Sequence, residues 1–554
     1  MSLSRRQVLA AGVAAAGLGA TAYVAGNAEA ASAPGDVVGK ISVGYQGWFS
    51  CLGDGSPINQ WWHYSANGSQ PPSPSNTTLV SWPDMREYTK SYTTAYANLG
   101  NGQPAKLFSS YDQQTVDTHF KWMRDYGCDT AALQRFNPVG GEGPIRDAMT
   151  VKVRQAAEAY GRKFYIMYDV TSWTNMQSQI KTDWTTKMSA YTASPAYARQ
   201  NGKPVVCIWG FGFNDAGRPF TPGPCLDVIN WFKAQGCYVI GGVPTWWRTG
   251  INDSRPGFLD VYHAFNMISP WMVGRTGDVA GLDSYYNNVN VGDQADCNAR
   301  GIDYQPCVMP GDLSNGARAH GDFYWRHIYN MTRLGAQGLY VSMFDEFNEG
   351  NQIAKTAENA SMQPTNFGHP ALDADGVACS SDYYLRLTAD GGRMFKRETP
   401  LTATRPTQPI AGGPTNPPST PPTGTSFAFR SRANNRYVSA PNSGNSPLIA
   451  SATAVGTAER FEVVDLGGGN VALRARVNSR LVCAENAGAA ALIANRTAAG
   501  PWETFKLIRN SNGTVSLLAT VNNQYVCAEN AGAAALIANR AAIGGWEQFD
   551  QVQA

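Results

Sequence analysis

Residues 427 to 554 spell the same unit three times, and no other feature of the chain constrains its folding as tightly. Asn435-Arg436-Tyr437-Val438, Ser479-Arg480-Leu481-Val482 and Asn523-Gln524-Tyr525-Val526 recur at intervals of 44 residues, as do Phe461, Phe505 and Phe549. A unit this short, alternating polar and apolar residues between Asn and Gly turns, cannot bury its own strands. Three of them share one core, and an all-β β-trefoil with pseudo-threefold symmetry is the expected closure. The first copy departs from the others, with Ser439 in place of Cys483 and Cys527, and Pro441 in place of Glu485 and Glu529.

Residues 34 to 400 follow a different rhythm. Short apolar runs recur between longer amphipathic ones: Ile41 to Phe49, Asp129 to Phe136, Phe164 to Val170, Pro204 to Phe213, Cys237 to Trp247, Val261 to Ile268, Tyr304 to Met309 and Gly338 to Phe344. Gln114 to Tyr126 and Ile145 to Tyr160 carry a helical pattern between them. Eight strands alternating with helices predict an α/β domain of the (β/α)8 TIM-barrel type. A doubly wound open sheet is the alternative, but no Gly-x-Gly-x-x-Gly turn follows the first run. Residues 401 to 426, ending in Pro-Pro-Ser-Thr-Pro-Pro-Thr-Gly-Thr-Ser, are too poor in apolar side chains to pack and predict an extended spacer.

Ser4-Arg5-Arg6-Gln7-Val8-Leu9, an Ala/Gly-rich stretch and then Ala28-Glu29-Ala30 predict an export signal over residues 1 to 30. The paired arginines favour the twin-arginine type over a general secretory leader, and the mature chain is expected to be secreted. No later segment has about 18 uninterrupted apolar residues, so no membrane partner is expected once the leader is removed. The formal net charge is only +2, and no basic run interleaves with aromatics, which argues against nucleic acid as a partner. The ten cysteines stand as disulfide staples or buried thiols, their connectivity unreadable from spacing. With no Cys-x-x-Cys pair and six His, neither a metal nor a cofactor is expected. Asp373-Ala374-Asp375-Gly376 starts like a calcium loop but continues wrongly and reads as a turn. A monomer is expected.

The chemistry concentrates at Gly338 to Ile353. Leu339, Tyr340, Val341, Met343 and Phe344 run straight into Glu346 and Glu349, which places two carboxyl groups where a barrel strand ends. Glycoside cleavage needs one carboxyl kept protonated for the leaving oxygen and a second kept ionised as base or nucleophile. The other predicted strand ends are polar and aromatic: Tyr45 and Gln46, Gln134 and Arg135, Tyr168 and Asp169, Trp209, Trp246, Trp271 and Arg275. Flat aromatic faces beside amides, guanidinium groups and carboxylates suit a sugar, so these residues are candidate substrate contacts for a polysaccharide or oligosaccharide.

Gly44-Tyr45-Gln46-Gly47-Trp48-Phe49, Trp61-Trp62-His63, Ser109-Ser110-Tyr111-Asp112 and Phe344-Asp345-Glu346-Phe347-Asn348-Glu349-Gly350-Asn351-Gln352-Ile353 resemble glycoside hydrolases of the family 71 and family 99 type. The resemblance spans roughly residues 40 to 390, and it adds Trp62, His63, Asp112, Asp345 and Asn348 to the candidate substrate-binding set. It implies hydrolysis of an α-mannan or α-glucan. In family 99 it further implies that Glu346 takes a proton from the sugar 2-hydroxyl while Glu349 protonates the leaving oxygen. Asp345 stands where Asn is usual, and Phe347-Asn348 where Trp-His is usual. An inverting α-1,3-glucanase of the family 71 sort and a non-catalytic polysaccharide-binding protein are the alternatives. The repeats, at Cys483 to Arg496 and Cys527 to Arg540, resemble fascin-like trefoil modules appended to polysaccharide-degrading enzymes. That likeness implies sugar contacts at Glu485, Asn486, Glu529 and Asn530. Trp502 and Trp546 either stack on sugar faces or pack in the core.

Overall fold

A computed structural model describes residues 32–409, 426–467, 470–510 and 514–553. The expected export signal and most of the expected spacer lie outside the described residues.

The first unit is built on a curled, parallel sheet. Its strands are β1 (Ile41–Tyr45), β2 (Thr130–Arg135), β3 (Lys163–Asp169), β4 (Lys203–Trp209), β5 (Tyr238–Val243), β6 (Met267–Pro270), β7 (Asp303–Tyr304), β8 (Cys307–Val308) and β9 (Leu339–Val341). They lie in the order β7-β6-β5-β4-β3-β2-β1-β9-β8. The two ends of that order are a single stretch of chain. Asp303 and Tyr304 pair with Met267 and Ile268, while Cys307 and Val308 pair with Tyr340 and Val341. Strands β1, β2, β5 and β9 are buried along their whole length, as expected where helices cover one face and packed side chains the other.

The covering helices include α1 (Gln113–Asp125), α2 (Gly143–Tyr160), α3 (Met176–Asp183), α4 (Pro222–Ala234), α5 (Leu259–His263), α6 (Asp322–Leu334) and α7 (Tyr383–Phe395). Two expectations need correction. The run Val261 to Ile268 divides between helix α5 and strand β6, because a short apolar run has no periodicity to separate the two. The start of the expected spacer is docked on the α/β unit rather than free. Trp325 donates to the Thr402 carbonyl at 3.1 Å, Arg405 meets Asp322 at 2.8 Å, and Arg386 donates to the Gln408 carbonyl at 3.0 Å. All ten cysteines are buried free thiols, which decides between the two roles the sequence left open. Asp373 to Gly376 forms a turn closed by a bond from Gly376 N to Asp373 O, and Asp375 pairs with His320.

The second unit is a sheet of twelve strands, four from each repeat, in antiparallel pairs. Phe461, Phe505 and Phe549 open equivalent strands and are buried together with Leu448, Leu492 and Leu536. The symmetry extends to hydrogen bonds: Asn434, Asn478 and Asn522 each donate a side-chain N–H to Ala450, Ala494 and Ala538 at 2.7, 2.8 and 2.7 Å. Leu448 N donates to Leu492 O, and Leu536 N to Leu448 O, both at 2.8 Å, tying the three repeats together near the axis.

Candidate active site

The turn after β9 is held by the turn after β1. The Asp345 carboxylate is fully buried and accepts the backbone N–H groups of Gln46 and Gly47, both at 2.8 Å, one on each oxygen. An amide at this position would offer one acceptor and turn its NH2 toward the second N–H. From the other side Arg146, itself buried, donates to the Gln46 and Gly47 carbonyls at 2.6 and 3.2 Å. Gly47 adopts φ +55, a left-handed conformation that suits glycine. So fixed, Gln46 donates its side-chain N–H to Glu346 Oε1 at 2.7 Å.

Glu346 and Glu349 share one turn, in which the N–H groups of Glu349 and Gly350 both reach the Glu346 carbonyl at 3.2 Å. Burial pushes the Glu346 carboxyl up to about 8, and the neighbouring Glu349 charge adds to this. Glu349 is also raised, by burial first and then by Asp312, but it is the more exposed of the two. Burial and the neighbouring charge both favour the protonated form of Glu346, and the two groups titrate as a pair. Burial likewise lifts Asp345 to about 6, against the pull of its two backbone donors.

Both glutamates line a cavity of about 540 Å³. Of the residues singled out from sequence, Gln46, Gln134, Asp169 and Trp209 join them on its wall. Their strand neighbours do not, and the alternation of side chains along a strand is the reason. Where Gln134 faces the cavity, Arg135 faces the helices and pairs with Asp183 at 2.5 Å and Asp147 at 2.7 Å. Where Asp169 faces it, Tyr168 turns back to donate to Asp183 at 2.8 Å. Tyr45, beside Gln46, sets its hydroxyl 3.0 Å from His119 on α1.

The remaining candidates also stand behind or beside the wall. Asp112 precedes α1 and is bound by Lys90 and Tyr92 at 2.5 and 2.9 Å. Arg275 pairs with Asp253 at 2.6 Å, and Trp246 packs near Tyr285 with ring centres 5.9 Å apart. His63 stacks under Trp48 at 3.9 Å, with Trp62 edge-on to it at 5.3 Å. Asn348 lies half-buried in the turn between the glutamates, and Asp345 acts behind it on the backbone.

The wall also holds Trp271, named among the strand-end residues, and five that the sequence did not single out as contacts: Trp48, Phe136, Asn137, Glu142 and Arg218. Trp48 was visible within a motif. Arg218 and Glu142 sit in Gly-containing loops with no periodicity to mark them. In the second unit Glu485 pairs with Arg496 at 2.8 Å and Glu529 with Arg540 at 2.9 Å. Asn486 and Asn530 both take φ 51, and Asn442 of the first repeat takes φ 52, so these three share a turn. Trp502 and Trp546 are exposed to 37% and 38%, which places them on the surface rather than in the core.

No protein-family model matches this sequence, and neither does any curated protein. Among solved structures, the chain is similar to a family 99 endo-α-mannosidase from Bacteroides thetaiotaomicron, with 16% identity and a TM-score of 0.46 over 65% of this chain and 98% of that one. It is also similar to the designed threefold-symmetric protein ThreeFoil, with 21% identity and a TM-score of 0.22 over 23% of this chain and 99% of that one. A β-trefoil called BEL is 11% identical, with a TM-score of 0.23 over 24% of this chain and 97% of that one.

Proposed function

We propose that the chain is a secreted glycoside hydrolase acting on a polysaccharide, of the α-mannan or α-glucan type, with its curled sheet serving as a (β/α)8 barrel. The observation that carries the reading is the placement of Glu346 and Glu349, both raised by burial, on the wall of a cavity also lined by Trp48, Gln134 and Trp209. Glycosidic cleavage needs one carboxylic acid and one carboxylate facing the same bond.

Glu346, holding the proton, donates it to the leaving glycosidic oxygen as the C–O bond breaks. Ionised Glu349 then either attacks the anomeric carbon or takes a proton from the water that does. The Gln46 amide holds Glu346 in place and is positioned to stabilise the carboxylate left after proton transfer. This assignment inverts the roles implied by the family 99 resemblance, which needs Glu346 ionised, and burial opposes that form. The trefoil contributes a second contact to the polymer through Trp502, Trp546 and the paired acids beside them.

Incubation of the chain with α-mannans, α-glucans, arabinans and xylans, beside its Glu346→Gln and Glu349→Gln forms, tests the reading by mass spectrometry of released sugars. Release by the unmodified chain alone supports it. Binding without release by any form supports the non-catalytic alternative. Aryl glycosides of the substrate sugar separate the roles. An acidic leaving group needs no proton, so Glu346→Gln is expected to regain activity on it and Glu349→Gln to stay inactive.

A further inference from the structure

We infer that the cavity continues from the glutamates to a second sugar subsite on its opposite wall, built by Asp169, Trp209, Arg218 and Trp271, so that the polymer is gripped through at least two rings. The inference rests on the proposed glycoside hydrolase reading.

The glutamates follow β9 and Trp209 ends β4, four steps apart in the order β9-β1-β2-β3-β4. At ~4.8 Å per step, this is roughly 19 Å along the arc of the curled sheet and roughly 12 Å straight across it, still more than one pyranose ring spans. All four residues line the same cavity as Glu346 and Glu349.

The far wall is a constructed surface. Trp209 and Trp271 meet edge to face, ring centres 5.2 Å apart. The Arg218 guanidinium lies 4.4 Å from the Trp209 ring centre and 4.8 Å from that of Phe213, and it pairs with Asp215. Asp169 stands opposite Trp209 in register and is 9% exposed, one oxygen accepting Thr171 N–H at 2.8 Å. The Trp209 indole N–H and Arg218 Nε have no protein partner.

Two glycines make room for this arrangement. Trp209 lies across Gly242 of β5, where an added Cβ would come 2.2 Å from the indole Cδ1. At Gly210, with φ +118, a Cβ would sit 2.9 Å from Val170 and 3.1 Å from Arg218. Glycine within a strand sacrifices stability and marks a close approach, here of the indole to the neighbouring backbone. Indole faces beside a carboxyl and a guanidinium form a sugar platform, and Asp215 offsets the Arg218 charge, so the surface suits neutral rings.

The test is binding of linear α-linked manno- and gluco-oligosaccharides of one to four rings to the full chain carrying Glu346→Gln, followed by calorimetry. Affinity is expected to rise about tenfold or more as rings are added until the far wall is reached. Trp271→Ala and Gly242→Val, each in that background, are expected to abolish the rise while leaving single-ring affinity unchanged; Gly242→Val, which crowds the Trp209 indole in a buried strand, is also expected to lower the thermal midpoint, so Trp271→Ala is the variant that decides. A rise that persists in Trp271→Ala overturns the subsite, as does a series in which no oligosaccharide binds. Turnover is not read here, so the outcomes separate. A length-dependent rise in a chain that cleaves nothing leaves the subsite standing and removes the hydrolase. A cleaving chain with no such rise does the reverse.

Discussion

The α/β unit and the repeat unit both bury glutamates, and Glu346 is surrounded differently from those that recur in the repeats. In the repeat unit, Glu459, Glu503 and Glu547 each accept the backbone N–H of a glycine three residues earlier, at 2.8, 2.8 and 2.7 Å, and the arrangement recurs in each repeat. In the α/β unit, Glu346 is buried against a second carboxyl group, and the donor that meets it at 2.7 Å is a side chain, Gln46. A buried acid met by backbone donors in every repeat holds a turn together. A buried acid set against another acid weakens the fold locally and holds a proton where chemistry can use it.

Substitution separates the two kinds. The largest effect is expected at the pair: Glu346→Gln and Glu349→Gln should each lower turnover by roughly 10²- to 10⁴-fold on unactivated substrate. The same Glu346→Gln change should stabilise the fold. A carboxyl raised from 4.5 to about 8 destabilises the folded state increasingly as pH rises through that window, and the cost is absent below it. Denaturant titrations at pH 4 and pH 8 should therefore show the variant's advantage only at the higher pH. If Glu346 donates the proton, activity of the unmodified chain should also fall as pH rises through about 8.

Glu547→Ala in the repeat unit should behave in the contrary way. It leaves Gly544 N–H without its acceptor and is expected to cost about 1–3 kcal/mol in denaturant unfolding of that unit, with no change in turnover of soluble oligosaccharide. Asp345→Asn lies between these cases. It loses one of two backbone acceptors, and about 1–3 kcal/mol of stability should go with a fall in turnover, since Gln46 is no longer fixed against Glu346. The smallest effect is expected from removing residues 426 to 554. Hydrolysis of insoluble polymer should weaken while hydrolysis of soluble oligosaccharide is spared, because a tethered binding unit raises only local concentration. Equal loss on both substrates would contradict that division of labour.

Much of this architecture was legible in the chain. The 44-residue period, with Phe461, Phe505 and Phe549 at equivalent places, gives the four-strand repeat directly, since identical units bury identical residues. The apolar run into Glu346 and Glu349 likewise locates the pair, because a buried parallel strand is continuous in its apolar residues and ends where polarity begins. What the sequence could not decide was facing. Gln134 and Arg135 are adjacent, equally polar and on one strand, yet only the pleat sends one to the cavity and the other to Asp183. Nor could it bring Arg218, from a loop, onto Trp209, or show that Gly242 is there to admit that indole. Local pattern sets which residues are buried and where a strand stops. Which of them meet across the mouth of a curled sheet is decided by contacts between segments far apart in the chain, and only the tertiary structure holds those.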